Sequence, residues 1–122
     1  MSLTLESELQ GQCLLLRVKG SYVSRDEIFR VMETLKTEAD RAGCKQAILN
    51  LTAAQGPVSD MDRYFLGERA ALIFRAQLKV AVVFPAEGIT KFGENVAVNR
   101  GAQLAVVPTE QDAIRWLEQS LK

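Results

Sequence analysis

The chain has 122 residues, a length that fits a single domain, residues 1–122, with a core of its own. Basic and acidic side chains number 15 each, so the net charge is zero and no overall field attracts nucleic acid or an anionic bilayer. Histidine is absent, which removes the commonest acid/base group and the commonest transition-metal ligand. We expect a protein that recognises something rather than an enzyme, and no nucleic-acid partner.

The two cysteines, Cys13 and Cys44, are far apart and lack CxxC spacing. We interpret them as free thiols in a reducing compartment and expect no metal and no cofactor. The first ten residues are alternating and acidic, unlike an export signal, and no apolar run is as long as a membrane span. These features favour a cytoplasmic protein, and peripheral contact with the membrane stays open.

In chain order, alternation of apolar and polar residues predicts a strand at 3–8. A turn joins it to a second predicted strand at 13–19, and the two form a hairpin. A helix follows at 24–42, where Ser24 and Glu27 have the spacing of a capping box. Its apolar stripe repeats at helical spacing and consists of Ile28, Val31, Met32, Leu35 and Ala39.

The third strand is predicted at 46–51, with a loop at 52–58 behind it. A second capping box, Ser59 with Asp62, begins a helix of roughly four turns through residue 76. Among its apolar positions are Met61, Phe65, Leu72 and Phe74. Gly67, in the middle of this helix, indicates that another backbone or a ligand approaches closely there, with tight packing against a strand as the simpler cause.

The last elements are a strand at 79–84, a Pro/Gly loop, a short helix that ends at Gly101, and a fifth strand at 103–107. The short helix has the apolar anchors Phe92, Val96 and Val98. Thr109 and Asp112 form a third capping box, and the helix behind it buries Ala113, Trp116, Leu117 and Leu121.

Strand and helix alternate after the hairpin, which predicts right-handed crossovers and an α/β fold. We expect a five-stranded, mainly parallel sheet with an antiparallel first strand and about four helices. One sheet face is apolar throughout, whereas the other is smaller and mixed and includes Arg17 and Asn50. That second face is either covered by helices or partly free for a ligand or partner.

Two motifs carry a resemblance to a known family: DRYFLGERAA at residues 62–71 and GENVAVNRG at residues 93–101. Together with the element order, they resemble the SpoIIAA-like branch of the STAS fold, the domain shared by sulfate transporters and anti-sigma-factor antagonists. The resemblance implies a bacterial-type, non-enzymatic binding or regulatory module built as a β-α superhelix. It also implies an architecture similar to the lipid-binding lobe of CRAL-TRIO proteins, and with it a non-polar ligand or transient contact with a membrane surface.

The classical antagonists carry a phosphorylated serine in an Asp-Ser-Ser-Gly motif at the start of the second helix. The corresponding stretch here is Pro57-Val58-Ser59-Asp60-Met61, so Ser59 occupies the phosphosite position while its neighbours depart from the motif. Asp60 supplies a fixed negative charge where a kinase would add one, which reduces the contrast of such a switch. The simpler interpretation is that Ser59 caps the helix, a role that contributes about 1 kcal/mol.

The segment behind the fourth strand is the predicted ligand site. Its candidate residues comprise an apolar rim and a polar lining: Phe84, Ile89 and Phe92, then Glu94, Asn95, Asn99 and Arg100. Polar clusters beyond the carboxyl ends of parallel strands are where open α/β sheets bind ligands. The alternative is that the amides tie the short helix to neighbouring backbone and that Phe84 belongs to the core.

Two functions compete. The first is a binding module that offers an apolar groove to a non-polar ligand, a membrane surface or a protein partner. The second is a phosphorylation-dependent interaction switch of the antagonist type. An enzyme is disfavoured because no nucleophile and base occur in a recognisable arrangement, and the charges of Asp62, Arg63, Glu68 and Arg69 alternate as on a solvated face. A homodimer stays open.

Overall fold

The computed structural model describes residues 3–75 and 77–119. Within them the elements are β1 (Leu3–Gln10), β2 (Cys13–Ser21), α1 (Arg25–Ala42), β3 (Gln46–Gln55), α2 (Asp60–Phe74), β4 (Lys79–Val83), a 3₁₀ turn (Ala86–Gly88), α3 (Phe92–Asn99), β5 (Leu104–Val107) and α4 (Glu110–Gln119). The predicted α/β fold with five strands and four helices is therefore confirmed in the described part of the chain.

The strands form one sheet in the order β1-β2-β3-β4-β5. The β1–β2 hairpin is antiparallel, and the remaining neighbours are parallel. Each parallel step requires a crossover helix, which α1, α2 and α3 provide. The register places Leu16 beside Leu49 and Leu49 beside Val82, so one apolar row crosses the centre of the sheet.

The two faces of the sheet have separate cores. The larger face carries Leu14, Leu16, Val18, Ala47, Leu49 and Val80, which pack with buried residues of α1, α2 and α3. The smaller face carries Leu15, Ile48, Ala81 and Val83, which pack with Ala113 and Leu117 of α4. The second face is thus covered by a helix over its apolar part.

The polar part of that second face is held by hydrogen bonds instead. The Arg17 guanidinium donates to both carboxylate oxygens of Glu110, at 2.9 and 3.0 Å, and to Glu8 at 3.2 Å. Asn50 also donates to Glu110. This cluster fastens the first turn of α4 to β2 and β3, and β2 to β1.

The capping residues lie where the sequence predicts. The Glu27 carboxylate accepts the N–H groups of Val23 and Ser24 at 2.7 and 3.2 Å, which completes the capping box of α1. At α4, the Thr109 hydroxyl accepts the Asp112 N–H at 3.0 Å. These contacts are local in sequence, so spacing alone predicts them.

Other boundaries differ from the sequence prediction. Strand β3 continues to Gln55, four residues into the predicted loop, because Lys19 to Ser21 of β2 supply backbone partners for Ala53 to Gln55. Helix α2 ends at Phe74. Residues 76 and 121, assigned by the sequence analysis to the ends of α2 and α4, lie outside the described residues.

Some predicted core positions are wrong. Met61 and Leu72 of α2 are 65% and 62% exposed, whereas Phe74 is buried. In α3, Phe92 and Val98 are 42% and 47% exposed, and Val96 is the buried anchor. Helix α2 packs through its small residues Gly67, Ala70 and Ala71. A pattern of large apolar side chains does not predict these positions.

Candidate functional site

The candidate site lies at the carboxyl edge of the parallel strands, where α1 and α2 begin and where β4 leads into the loop before α3. Open α/β sheets present their functional surfaces at this edge. The first turns of α1 and α2 bring their capping residues and the carboxylates of Asp26, Glu27, Asp60 and Asp62 to this edge. Side chains and loop backbone from four segments of the chain meet here.

Ser59 lies at the beginning of α2 and is exposed. Its hydroxyl accepts the Asp62 N–H at 3.0 Å, and its own N–H donates to the Asp62 carboxylate at 3.0 Å. The predicted capping box is therefore confirmed. Two hydrogen bonds lower the pKa of Asp62: the one from the Ser59 N–H has the larger effect and the one from Arg25 the smaller. This carboxylate is therefore ionised at neutral pH.

Arg25 joins the first turns of α1 and α2. Its guanidinium lies 2.9 Å from the Asp62 carboxylate and stacks on the Phe65 ring at 4.4 Å. Two apolar side chains stand exposed on the same two helix starts, Val23 at 70% and Met61 at 65%. We call the five residues Val23, Arg25, Ser59, Met61 and Asp62 the serine-cap surface.

Behind this surface, between the sheet and the helices, is a cavity of about 110 Å³. Its lining includes Tyr22, Leu66, Phe84, Ile89 and Glu94. Ligand pockets usually measure about 300–1,000 Å³, so the cavity is much smaller than a lipid-binding groove requires. The predicted groove for a non-polar ligand is not supported.

Arg63 holds the loop that contains part of the predicted apolar rim. Its guanidinium donates to the Gly88 carbonyl at 3.0 Å and to the Val58 carbonyl at 3.4 Å. The 3₁₀ turn before Ile89 is thereby tied to the start of α2. Phe84 packs against the core, as its alternative interpretation held.

Glu94 lines the cavity, but its carboxylate is hydrogen-bonded to backbone. Its carboxylate accepts the Val106 N–H at 2.6 Å and lies 3.1 Å from the Lys91 ammonium. Lys91 in turn donates to the Val106 carbonyl at 2.8 Å. Lys91 has a φ of 66°, an uncommon conformation for a non-glycine residue, at the N-cap of α3.

The remaining predicted site residues lie on the outer surface of α3. Asn95, Asn99 and Phe92 are exposed and do not line the cavity. Arg100 donates to the Tyr64 hydroxyl at 3.0 Å and lies 3.7 Å from Glu68. The structure therefore separates these four side chains from Phe84, Ile89 and Glu94, and a binding role for any of the seven stays a prediction.

The close approach predicted at Gly67 occurs between two helices. A β-carbon at this position would collide with the Gly93 carbonyl oxygen and lie 3.0 Å from the Val96 side chain. The two motifs at residues 62–71 and 93–101 thus pack against each other as α2 and α3. The close approach is thus predicted, but a strand as its cause is wrong: the neighbour is helix α3, whose Gly93 is far from Gly67 in the chain.

Val23, Arg25 and Met61 are surface residues of the site that the sequence did not predict. No local signal identifies Val23, because an apolar residue just before a helix cap often packs against the helix. Within residues 3–75 and 77–119, no three or more His, Cys, Asp or Glu side chains are grouped so that they could hold a metal ion. Within the same ranges, no helix is long and apolar enough to cross a membrane.

No protein-family model matches the chain. No curated protein matches it either. Solved structures do resemble it. One is an anti-sigma factor antagonist from Mycobacterium paratuberculosis, with a TM-score of 0.61 at 14% identity, covering 96% of this chain and 95% of the other.

A second is an uncharacterised protein with a SpoIIAA-like fold from Shewanella loihica, with a TM-score of 0.52 at 20% identity, covering 94% of this chain and 93% of the other. Both likenesses extend over nearly the whole chain, and at these identities they concern the backbone architecture. The chain therefore has the STAS, SpoIIAA-like fold, whereas the expected likeness to CRAL-TRIO proteins is not shown by these structures.

Proposed function

We propose that this protein is a non-enzymatic interaction module of the anti-sigma-factor-antagonist type, which binds a protein partner through the serine-cap surface. The observation that carries the proposal is the exposure of Val23 and Met61, each within two residues of one partner of the Arg25–Asp62 ion pair. The structural likeness to an anti-sigma factor antagonist supports the same class of partner. The small cavity favours a protein over a lipid as the bound species.

The composition of the surface fits a protein interface. Interfaces are enriched in methionine and arginine as well as aromatic residues, and their rim is polar. Met61 and Val23 supply exposed apolar area, and Arg25 is positioned by Asp62 and by the Phe65 ring. A partner that covers this area gains apolar burial without having to reorganise the helix starts.

Phosphorylation of Ser59 would act against binding at this surface. A phosphate there adds roughly two negative charges at neutral pH, close to the Asp62 carboxylate that already bonds to the Ser59 N–H. Asp60 is the next residue and adds a further carboxylate. The phosphate would therefore make the charge balance of the surface that the partner meets negative, so the modified form is the non-binding state.

The interface is tested by quantitative affinity capture with the purified chain as bait, followed by affinity measurement with each captured protein. Met61→Glu and Val23→Glu should each weaken binding by at least about tenfold, the effect of losing about 1.4 kcal/mol. Leu72→Glu is the matched control, since Leu72 is equally exposed on the same helix but far from the serine-cap surface. A partner that binds all three variants with unchanged affinity would show that the interface lies elsewhere.

The Ser59 switch is tested with two substitutions. Ser59→Ala removes the cap and should lower stability by about 0.5–2 kcal/mol while partner binding persists. Ser59→Asp retains a capping carboxylate at the positive end of the helix, so its melting temperature should stay close to that of the wild type. If Ser59 is a switch, Ser59→Asp nevertheless loses the partner; equal binding by both variants contradicts the switch but leaves the interface intact.

A further inference from the structure

The two outer edges of the sheet differ in whether side chains bond to their outward backbone groups. At the β5 edge, Glu94 and Lys91 occupy the N–H and the carbonyl of Val106, so this strand cannot easily accept another strand. At the β1 edge, β2 is the only strand of the described chain that pairs with β1. This edge is eight residues long, and alternate backbone groups along it point away from the sheet.

The side chains of β1 carry a further signal. Leu5 and Leu9 are 37% and 58% exposed, although both lie on the same sheet face as Val18 and Leu14, their cross-strand neighbours in the core. Helix α1 therefore leaves both side chains uncovered. Its last turns, with Glu38 and Arg41, instead border an open groove of about 370 Å³ along Ser7 and Leu9. An exposed edge with apolar side chains and a groove behind it is incomplete as a monomer surface.

We propose that the occupant of this edge is a second copy of the chain, paired antiparallel through β1 about a two-fold axis at Ser7. In that register Ser7 faces Ser7 of the other copy, and Leu5 faces Leu9 in both halves of the interface. Each exposed leucine thereby gains an apolar cross-strand neighbour. The contact is self-complementary, as a two-fold dimer requires, and it joins two five-stranded sheets into one.

The charges on the opposite face permit this register. It places Glu6 of one copy opposite Glu8 of the other, which alone would be repulsive. Each glutamate already has a cation on β2: Glu6 lies 3.6 Å from Lys19, and Glu8 lies 3.2 Å from Arg17. In the groove, Glu38 and Arg41 of each copy offer opposite charges to the same residues of the other. A peptide from a different protein would have to match this charge and leucine pattern, whereas a second copy matches it by symmetry.

The test is the mass of the chain in solution, measured by sedimentation equilibrium over a wide range of concentration. The wild type should be a dimer, and Leu9→Lys and Ser7→Lys should each be monomers with unchanged circular dichroism. Leu72→Lys, an equally exposed apolar position outside the interface, should remain a dimer. A wild-type monomer at all concentrations, or a dimer that persists in both β1 variants, would overturn the proposal.

The register has its own test, because only Ser7 lies on the proposed axis. Ser7→Glu should also be monomeric, and an equimolar mixture of Ser7→Lys with Ser7→Glu should recover the dimer through opposite charges at the axis. Failure of the mixture to dimerise contradicts this register. None of these variants alters the serine-cap surface, so the outcome is independent of partner binding there.

Discussion

Glu94 of α3 bonds to the N–H of Val106 at 2.6 Å, while Lys91 bonds to the carbonyl of the same residue at 2.8 Å. Two side chains thus take the positions that a sixth strand would occupy beside β5. The pair closes this edge of the sheet and also anchors the beginning of α3 to it. Glu94, a ligand-site candidate in the sequence, and its neighbour Lys91 therefore have a structural role in the fold.

Glu94→Ala should lower the free energy of unfolding by about 1–3 kcal/mol, because it leaves the partly buried Val106 N–H without its acceptor. Glu94→Gln should cost less, since its amide oxygen still accepts that bond. Urea unfolding measures both, with the exposed Glu87→Ala as the control. Equal stability of Glu94→Ala and Glu87→Ala would show that the bond to Val106 contributes nothing.

Gly67→Ala should destabilise the protein by about 1–3 kcal/mol, because the added methyl group meets the Gly93 carbonyl and the helices must separate. Alanine favours a helix over glycine by about 1 kcal/mol, so a free surface position would show the opposite sign. Thermal unfolding distinguishes the two outcomes. An increase in melting temperature would contradict the close packing of α2 against α3.

Stability in acid should depend on Glu110. Hydrogen bonds from Arg17, with a further one from Asn50, lower the pKa of this carboxyl in the folded state. The unfolded chain therefore binds the proton at a higher pH than the folded protein does. The stabilisation is complete above the unfolded value of about 4.3 and disappears as the pH falls through the folded pKa.

Glu110→Gln should remove this dependence, so that melting temperatures of wild type and variant converge as the pH is lowered through that range. Glu118→Gln, at an exposed position on the same helix, serves as the control and should follow the wild type. Parallel curves for wild type and Glu110→Gln from neutral to acid pH would mean that the Arg17 contact does not favour the ionised form.

Cys13 should react slowly with alkylating reagents at neutral pH. Burial, with a smaller contribution from nearby Cys44, raises the pKa of its thiol to about 11, and the thiolate is the reactive form. In a Cys44→Ser variant, iodoacetamide labelling followed by mass spectrometry measures Cys13 alone. Labelling at neutral pH as fast in the folded protein as in urea would contradict the shift.

Much of the fold is predictable from the sequence, because its signals are local. The capping pairs at Ser24 and Ser59 depend on residues three positions away, and the hydrophobic stripe of α1 depends on residues within one helix. The parallel direction of β2 to β5 also follows from the alternation of strands and helices. These features require no knowledge of distant neighbours.

The errors arise where distant residues decide the outcome. The end of β3 extends because the last residues of β2 pair with it, and nothing within 52–55 indicates that partner. Met61 and Leu72 are apolar but exposed, because α2 packs through glycine and alanine. The role of Glu94 depends on Val106, which belongs to another element.

The contact between Gly67 and Gly93 has a mechanical consequence. The backbones of α2 and α3 are in direct contact at these two glycines. We therefore expect the two helices to move together as one rigid unit. The first turn of α2 belongs to the serine-cap surface, and α3 holds Val106 through Glu94. A partner that tilts α2 would therefore loosen the β5 edge, which hydrogen exchange at the Val106 amide would register as faster exchange in the complex.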